Sequence, residues 1–347
     1  MAASPFQTNP YYLHKLLEDC HNGALQLPDF QRSWVWDEDR IKSLIASVSR
    51  AFPVGALMTL NTGGGINFKP RPVEGAPDAA KKEVPRALLL DGQQRMTSLY
   101  QVALRGEVVQ TVTPKNKKVQ RWFYIDIRKA LDLAVDRDEA IVGVPQDKVI
   151  RTDFGREVVL DLSAPEKEYA ALMYPVAQVF DIDDWREGFD EYWKGDVNEE
   201  TRKLFRQFRK EVLENFKYYQ VPVIALDQST SKEAVCVVFE KVNTGGKPLD
   251  AFELVTAMYA ADGHELRKDW YGSETLKGRH SRLQETLRPA ASDAGILANV
   301  SNTDFLHIIS LFYTRERRRE AEQAGKQGKE LPAVTGNRQA LLNLPLA

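Results

Sequence analysis

Cysteine is nearly missing from this chain of 347 residues, which carries only Cys20 and Cys236. Two thiols supply neither a disulfide framework nor a four-thiolate zinc site, so a reducing, cytoplasmic setting is expected. Histidine is also sparse. The five imidazoles, at His14, His21, His264, His280 and His307, include no i, i+4 pair that would set two ligands around zinc on one helix face. No uninterrupted apolar run approaches the roughly 18 residues of a membrane-spanning helix, and Met1 to Pro10 lacks a basic segment leading into an apolar one. Neither membrane insertion nor a secretory signal is expected. An excess of one charge is lacking too: 47 Lys and Arg face 49 Asp and Glu, a formal net charge of −2. Global attraction to nucleic acid is thereby excluded, and any such contact must come from a local patch. Finally, no G-x-x-x-x-G-K-[ST] run is present, which excludes ordinary P-loop chemistry.

What remains is a normal globular mix, 43% apolar and 28% charged, with material for one large domain or two ordinary ones. Leu13, Leu16, Leu17 and Cys20 recur at helical spacing, with Gly23 placed to end the helix. Ala24 to Leu27 leads into Pro28-Asp29-Phe30-Gln31-Arg32, then Trp34 and Trp36. Asp37 is expected to cap a helix whose apolar face is Ile41, Leu44, Ile45 and Val48. Pro53-Val54-Gly55 breaks it, and Ala56 to Leu60 reads as a strand. Residues 61–85 show no periodicity and read as a long exposed loop. Ala87 to Leu90 reads as a buried strand that meets Asp91-Gly92-Gln93-Gln94-Arg95, after which Met96, Leu99, Val102 and Ala103 continue a helix.

Trp122 to Ile127 is expected to be a further strand, while residues 128–165 are charged and weakly patterned. Beyond Pro175 the chain reads as mainly helical. Leu204, Phe205, Phe208, Val212 and Phe216 mark one amphipathic helix, and Val221 to Leu226 a strand. A helix capped by Ser231 runs through Ala234, Val235, Val238, Phe239 and Val242 to a glycine stop at Asn243-Thr244-Gly245-Gly246. Asp250 and Glu253 resemble a capping box, and a last helix carries Phe305, Leu306, Ile309 and Phe312.

Three segments carry chemistry. In Asp91-Gly92-Gln93-Gln94-Arg95 a helix start offers backbone N–H groups and a positive dipole end, which favour a bound anion. Gly92 lets the backbone approach a ligand, Arg95 adds a donor fork suited to phosphate, and Asp91 is placed to hold a divalent cation. The bland alternative is a capped strand–turn–helix with solvated polar groups. In the second segment, Gln31 and Arg32 beside aromatics suit phosphate, a base or a DNA backbone. Alternatively Phe30, Trp34 and Trp36 pack in the core while Arg32 forms an ion pair. The third, Phe239 to Leu249, is either a plain helix stop or a ligand contact through Asn243, Thr244 and Lys247. Basic stretches at Arg267-Lys268, Lys277 to Arg288, and Arg315 with Arg317-Arg318-Arg319 are either solvated helix faces or phosphate contacts.

Taken in this order, the segments resemble the domain family that forms the N-terminal half of GmrSD-type, modification-dependent restriction enzymes and related phage-defence proteins. The resemblance is carried by Leu27 to Trp36, by Phe52-Pro53-Val54-Gly55, by Leu90 to Arg95, by Val221-Pro222-Val223, and by Val238 to Leu249. It implies an α/β (α+β) fold with a ParB/sulfiredoxin-like mixed-sheet core and an appended helical region. The expected division is a nucleotide-binding core over 1–130, a variable insertion over 131–175, strand and helices completing the core over 176–262, and a helical region over 263–347. It further implies binding and hydrolysis of a nucleoside triphosphate of the GTP, ATP or UTP type with Mg2+.

Asp91, Gln94 and Arg95 are then the catalytic candidates, with Asp91 also the metal ligand. Gly92, Gln93, Gln31, Arg32, Asn243, Thr244 and Lys247 are the nucleotide contacts, and Phe30, Trp34, Arg315 and Arg318 the DNA contacts. Family members often carry a C-terminal histidine nuclease domain. No His follows His307, so no HNH-type site is expected within this chain. It is expected either to be a truncated piece or to act with a separate nuclease or effector. The competing expectation is a module that binds nucleotide or modified DNA without turnover, and a third is an antitoxin-like partner.

Overall fold

The computed structural model describes residues 6–31, 33–34, 36–64, 68–231, 234–235, 238, 251–261, 263–273, 275–287 and 300–345. The chain forms two compact units. The first comprises Met1–Leu27, Gln31–Leu60 and Arg71–Leu226, the second Pro28–Phe30, Asn61–Pro70 and Asp227–Ala347.

The first unit opens with β1 (Phe6–Tyr12), α1 (Leu13–His21), β2 (Leu25–Pro28), α2 (Glu38–Ser49) and β3 (Leu57–Asn61). The two-residue strand β4 (Pro70–Arg71), β5 (Ala87–Asp91) and α3 (Gln93–Ala103) follow. Next come β6 (Val109–Val112), β7 (Lys118–Asp126), α4 (Ile127–Leu131), α5 (Arg137–Ala140), β8 (Ile141–Pro145), β9 (Val149–Thr152), β10 (Glu157–Asp161), α6 (Pro165–Ala171) and β11 (Met173–Pro175). The unit closes with α7 (Asp183–Tyr192), α8 (Glu199–Phe208), α9 (Glu214–Tyr218) and β12 (Gln220–Leu226). Its main sheet has the order β1-β12-β3-β5-β2-β4. β1 runs antiparallel to β12, while β12 with β3 and β2 with β5 are parallel. The sheet is mixed and the fold is α+β.

The apolar periodicities explain which faces are covered. Leu13, Leu16, Leu17 and Cys20 of α1 are all buried, as are Ile41, Leu44, Ile45 and Val48 of α2. Asp37 caps α2, its carboxylate accepting from the Arg40 amide at 2.9 Å. The amphipathic stretch after Asn198 is interrupted by a wide π turn at Arg209–Leu213, which keeps Phe205, Phe208, Val212 and Phe216 buried on either side of it. Phe205 and Phe208 join Tyr174, Trp185 and Phe189 in an aromatic cluster with centroid spacings of 4.6–6.4 Å.

Two segments differ from the sequence expectation. Residues 61–85, expected as an exposed loop, include β4 and a 3-10 turn at Asp78–Lys82, and bury Phe68, Val73 and Ala80. One apolar residue per turn of irregular chain leaves no period to detect. Residues 128–165, too charged to read, form short strands instead: β8 pairs with β7, and β9 with β10. Just beyond them, buried Glu168 accepts from Tyr124 Oη at 2.7 Å, Trp185 Nε1 at 3.1 Å and Lys148 Nζ at 3.2 Å. Burial, reinforced by that carboxylate, pushes the Tyr124 hydroxyl well above its ordinary pKa, so it remains a donor.

The second unit carries α10 (Ala251–Ala261), α11 (Leu266–Tyr271), α12 (Arg279–Leu287), α13 (Asn302–Gln323) and α14 (Arg338–Leu342). Its buried residues include Phe252, Leu254, Val255, Trp270, Leu306 and Leu341. Ser301 and Asp304 form a capping box at the start of α13. That helix differs from expectation in its buried face: Leu306 is covered, but Ile309 and Phe312 are 37% and 61% exposed. The covered side instead includes Ser310, fully buried beside the Thr335 carbonyl. Ser231 accepts from the Ala234 amide, as its expected cap role requires. Ala234, Val235 and Val238 of that helix are helical and Val235 is buried, while Phe239, Val242, the glycine stop and Asp250 lie outside the described residues. Among the described residues, no helix is long and apolar enough to cross a membrane.

Glu168 and Asp37 make a graded pair for stability. Glu168→Ala strands three donors and is expected to cost about 2–4 kcal/mol. Asp37→Ala, which loses one exposed cap, is expected to cost about 1 kcal/mol. Urea unfolding midpoints of the two variants against the parent check both the sizes and the order.

Candidate functional site

β5 buries Leu88, Leu89 and Leu90 and ends on Asp91, where the chain turns through Gly92 into α3. Gly92 caps α3 with φ +90°. A Cβ there would stand 2.2 Å from Leu57 Cδ2, so the turn needs glycine both for its backbone conformation and for its closeness to β3.

Arg95, three residues into the helix, points back across this turn. Its Nη1 donates to the Val54 carbonyl at 2.5 Å, and its Nη2 to the Ala56 carbonyl at 3.0 Å and to Asp91 Oδ2 at 3.1 Å. Three of a guanidinium's five N–H groups are thus engaged. Asp91 Oδ1 has no hydrogen-bond partner among the described residues. Gly55, at φ +90°, lies against the same guanidinium, and a Cβ there would be 2.5 Å from Nη1.

The second chemistry-bearing segment converges on the first. Gln31 Nε2 donates to the Leu89 and Leu90 carbonyls, both at 2.9 Å, immediately before Asp91. Those two acceptors fix which end of the amide is nitrogen. Gln94 Nε2 donates to the Ser33 carbonyl at 3.2 Å, and Trp34 Nε1 to Ser98 Oγ at 2.9 Å. Trp34 and Trp36 pack against the core while half-buried, the bland alternative for those rings. Glu74 Oε1 accepts from the Trp34 amide at 2.9 Å and from Arg71 at 3.1 Å, and Arg71 also donates to the Gln31 carbonyl. Gln31 Oε1 and Glu74 Oε2 of this network, and Thr97 Oγ1 on α3, are buried without a hydrogen-bond partner among the described residues. A buried acceptor left unmade costs about 1–3 kcal/mol.

Phe30 belongs to the second unit, where it meets Phe68 edge-on at 5.1 Å, and the Asp29 amide donates to the Lys69 carbonyl. Arg315 and Arg318 are on α13, Arg318 paired with Glu322 at 3.0 Å. Arg32, Asn243, Thr244 and Lys247 lie outside the described residues. Gln93 and Gln94, the first two residues of α3, are buried. His14 stacks on Phe180 at 4.5 Å and His21 meets the Tyr100 hydroxyl at 3.0 Å. Among the described residues, no three His, Cys, Asp or Glu side chains group as a metal site.

Arg71 and Glu74 were missed because they sit in the aperiodic segment 61–85. Their i, i+3 spacing, an acidic and a basic residue within reach of each other, was the one available signal.

A mixed-sheet α+β protein with a glycine-launched helix behind a strand-end Asp, and an Arg folded back onto that Asp, is the class defined by fold and site. Residues 13–260 match the family model of the GmrSD restriction endonuclease N-terminal domain, and the chain belongs to that family. It is also 26% identical over 275 residues to the uncharacterized protein MJ0686 of Methanocaldococcus jannaschii. That match covers 74% of this chain and 42% of the relative, so the chain spans under half of that protein's length.

The two glycines give a direct test of the turn. Gly92→Ala is expected to destabilise by about 2 kcal/mol or more through strain at positive φ and contact with Leu57. Gly55→Ala, at the same positive φ and against the bonded Arg95 guanidinium, is expected to cost a similar amount. Urea denaturation of both variants measures the two costs.

Proposed function

We propose that the Asp91–Arg95 turn binds the triphosphate of a nucleotide and hydrolyses it, as the regulatory step of a phage-defence restriction system. The observation that carries this reading is the left-handed Gly92 launching α3 with Asp91 and Arg95 ion-paired across the turn. A helix start attracts phosphate through its N–H groups and dipole. The two N–H groups of Arg95 not engaged internally suit the charge that develops in phosphoryl transfer, and Gln94 is the candidate for orienting water. Gln31 Oε1, a buried acceptor lacking a protein partner, suits a ribose hydroxyl or a base N–H.

One carboxylate with an unpartnered Oδ1 fits Mg2+ that arrives on the nucleotide, since such ions are held by one or two carboxylates plus phosphates and waters. When bound, the ion supplies positive charge against the phosphates; Asp91 would hold it. The test is phosphate release from GTP, ATP and UTP with Mg2+. Asp91→Asn and Arg95→Ala are each expected to lower kcat by about 10²-fold. Release unchanged in both variants ends the reading.

A second reading, a nucleotide-binding module without turnover, is favoured by the three internal bonds of Arg95, which give it a structural task of its own. Calorimetric binding of a nucleotide that is never cleaved would select it.

Action on DNA, with a nuclease carried on another chain or domain, completes the proposal. The contacts would come from Phe30, Trp34 and the basic part of α13 around Arg315 and Arg318. Modified duplex is expected to bind more tightly than unmodified duplex, with affinity for both falling as salt rises. Equal affinity at two salt concentrations discards a sensor role.

A further inference from the structure

We infer that Tyr219 is a positioning residue for Asp91 and Arg95, acting through the turn between α2 and β3. The inference rests on reading Asp91–Arg95 as the reaction site.

Tyr219 follows α9 and precedes β12, and is 6% exposed. Its hydroxyl donates to the Phe52 carbonyl at 2.5 Å and accepts from the Val54 amide at 3.1 Å. The Val54 carbonyl in turn accepts from Arg95 Nη1, the Ala56 carbonyl from Nη2, and Nη2 also reaches Asp91 Oδ2. Hydrogen bonds therefore link Tyr219 to Asp91 through the Val54 peptide backbone and the Arg95 guanidinium. The hydroxyl makes two bonds to the backbone of one turn, which fixes the turn's orientation as well as its distance.

The turn has few other tethers. Pro53 has no N–H, and the Phe52 ring is 54% exposed. Upstream, the Ser49 carbonyl accepts from Asn215 at 2.9 Å and from Arg137 at 3.3 Å, and the Phe52 amide donates to Ser47. From there to Ala56, Tyr219 and Arg95 are the side chains from distant sequence that bond this backbone among the described residues, and Gly55 brings the backbone onto the guanidinium. Burial raises the pKa of the Tyr219 hydroxyl despite the opposing pull of the Val54 amide and the nearby Arg95 charge, so the donor proton is retained at neutral pH.

The experiment compares the full chain with Tyr219→Phe and with Tyr174→Phe. Tyr174 is an equally internal core tyrosine whose hydroxyl donates to the Gln178 carbonyl, with no path to Arg95. The Arg95 side-chain Nε–Hε resonance, assigned by its loss in Arg95→Lys, reports guanidinium position without any need for turnover. In Tyr219→Phe it is expected to shift and to exchange with water about tenfold faster, while Tyr174→Phe leaves it in place. With Mg2+ and the nucleotide that the parent cleaves, Tyr219→Phe is expected to lower kcat about tenfold with KM within about twofold. An Arg95 resonance identical in parent and Tyr219→Phe overturns the inference. A shifted resonance in a protein whose parent form cleaves no nucleotide upholds the positioning role and overturns the hydrolysis reading.

Discussion

The Arg95 guanidinium joins the turn ahead of β3 to the end of β5 and the start of α3, two parts of the first unit that are distant in sequence. It meets the turn ahead of β3 through two carbonyls, the end of β5 through Asp91, and its own helix α3 through the chain. A flexible ammonium makes poor use of such a place, because the planar fork presents several donors in fixed directions at once. The arrangement also dictates its neighbours. Gly55 must be small where the guanidinium lies against it, and Gly92 must adopt positive φ where the backbone passes Leu57. The glycine, the acid and the arginine of this turn are therefore one structural requirement, whatever chemistry is performed there.

Around that centre the polar groups are unevenly satisfied. Gln31, Ser33 and Trp34 are bonded to β5 and α3, and Arg71 and Glu74 brace them from the other side. Yet Gln31 Oε1, Glu74 Oε2 and Thr97 Oγ1 are buried without partners among the described residues. Folding alone gives no reason to keep three orphans so close in sequence to one network, since each could be relieved by an apolar side chain of like size. Local departures from full satisfaction concentrate where a ligand or water completes the set. The orphans are what the proposed reading would complete with a ligand or water.

Much of this was legible because the relevant signals are local. Leu13 to Cys20 and Ile41 to Val48 announce their helices through the 3.6-residue period, and Asp37 announces its cap. Asp91-Gly92-Gln93-Gln94-Arg95 stands out as polar residues between an apolar strand and an apolar-striped helix. The nearness of Gln31 to that turn is different. No periodicity carries it, and only the family resemblance placed the two segments together. Arg71 and Glu74 were illegible because irregular backbone hides a buried Val73 between polar neighbours. The exposed side of α13 was misjudged for a related reason: Ser310 and Thr314 are covered through bonds to Thr335, which hydrophobic spacing cannot register.

The pairing of Asp91 with Arg95 also constrains what the turn can hold. Together the two side chains carry no net charge, so the attraction left for an anion is chiefly that of the helix end, equivalent to roughly half an elementary charge. A triphosphate tail carries several negative charges and would also face the Asp91 carboxylate. On the proposed reading, that imbalance is met by a divalent ion travelling with the nucleotide, and by the two N–H groups that the internal bonds of Arg95 leave over. Were Arg95 unpaired, it would attract phosphate more strongly but wander among rotamers. Held by Val54, Ala56 and Asp91, it gives up some of that attraction for a fixed position, and a fixed donor is what discriminates a transition state from a ground state. The same bonds that make the turn look merely structural are those a catalytic arrangement requires.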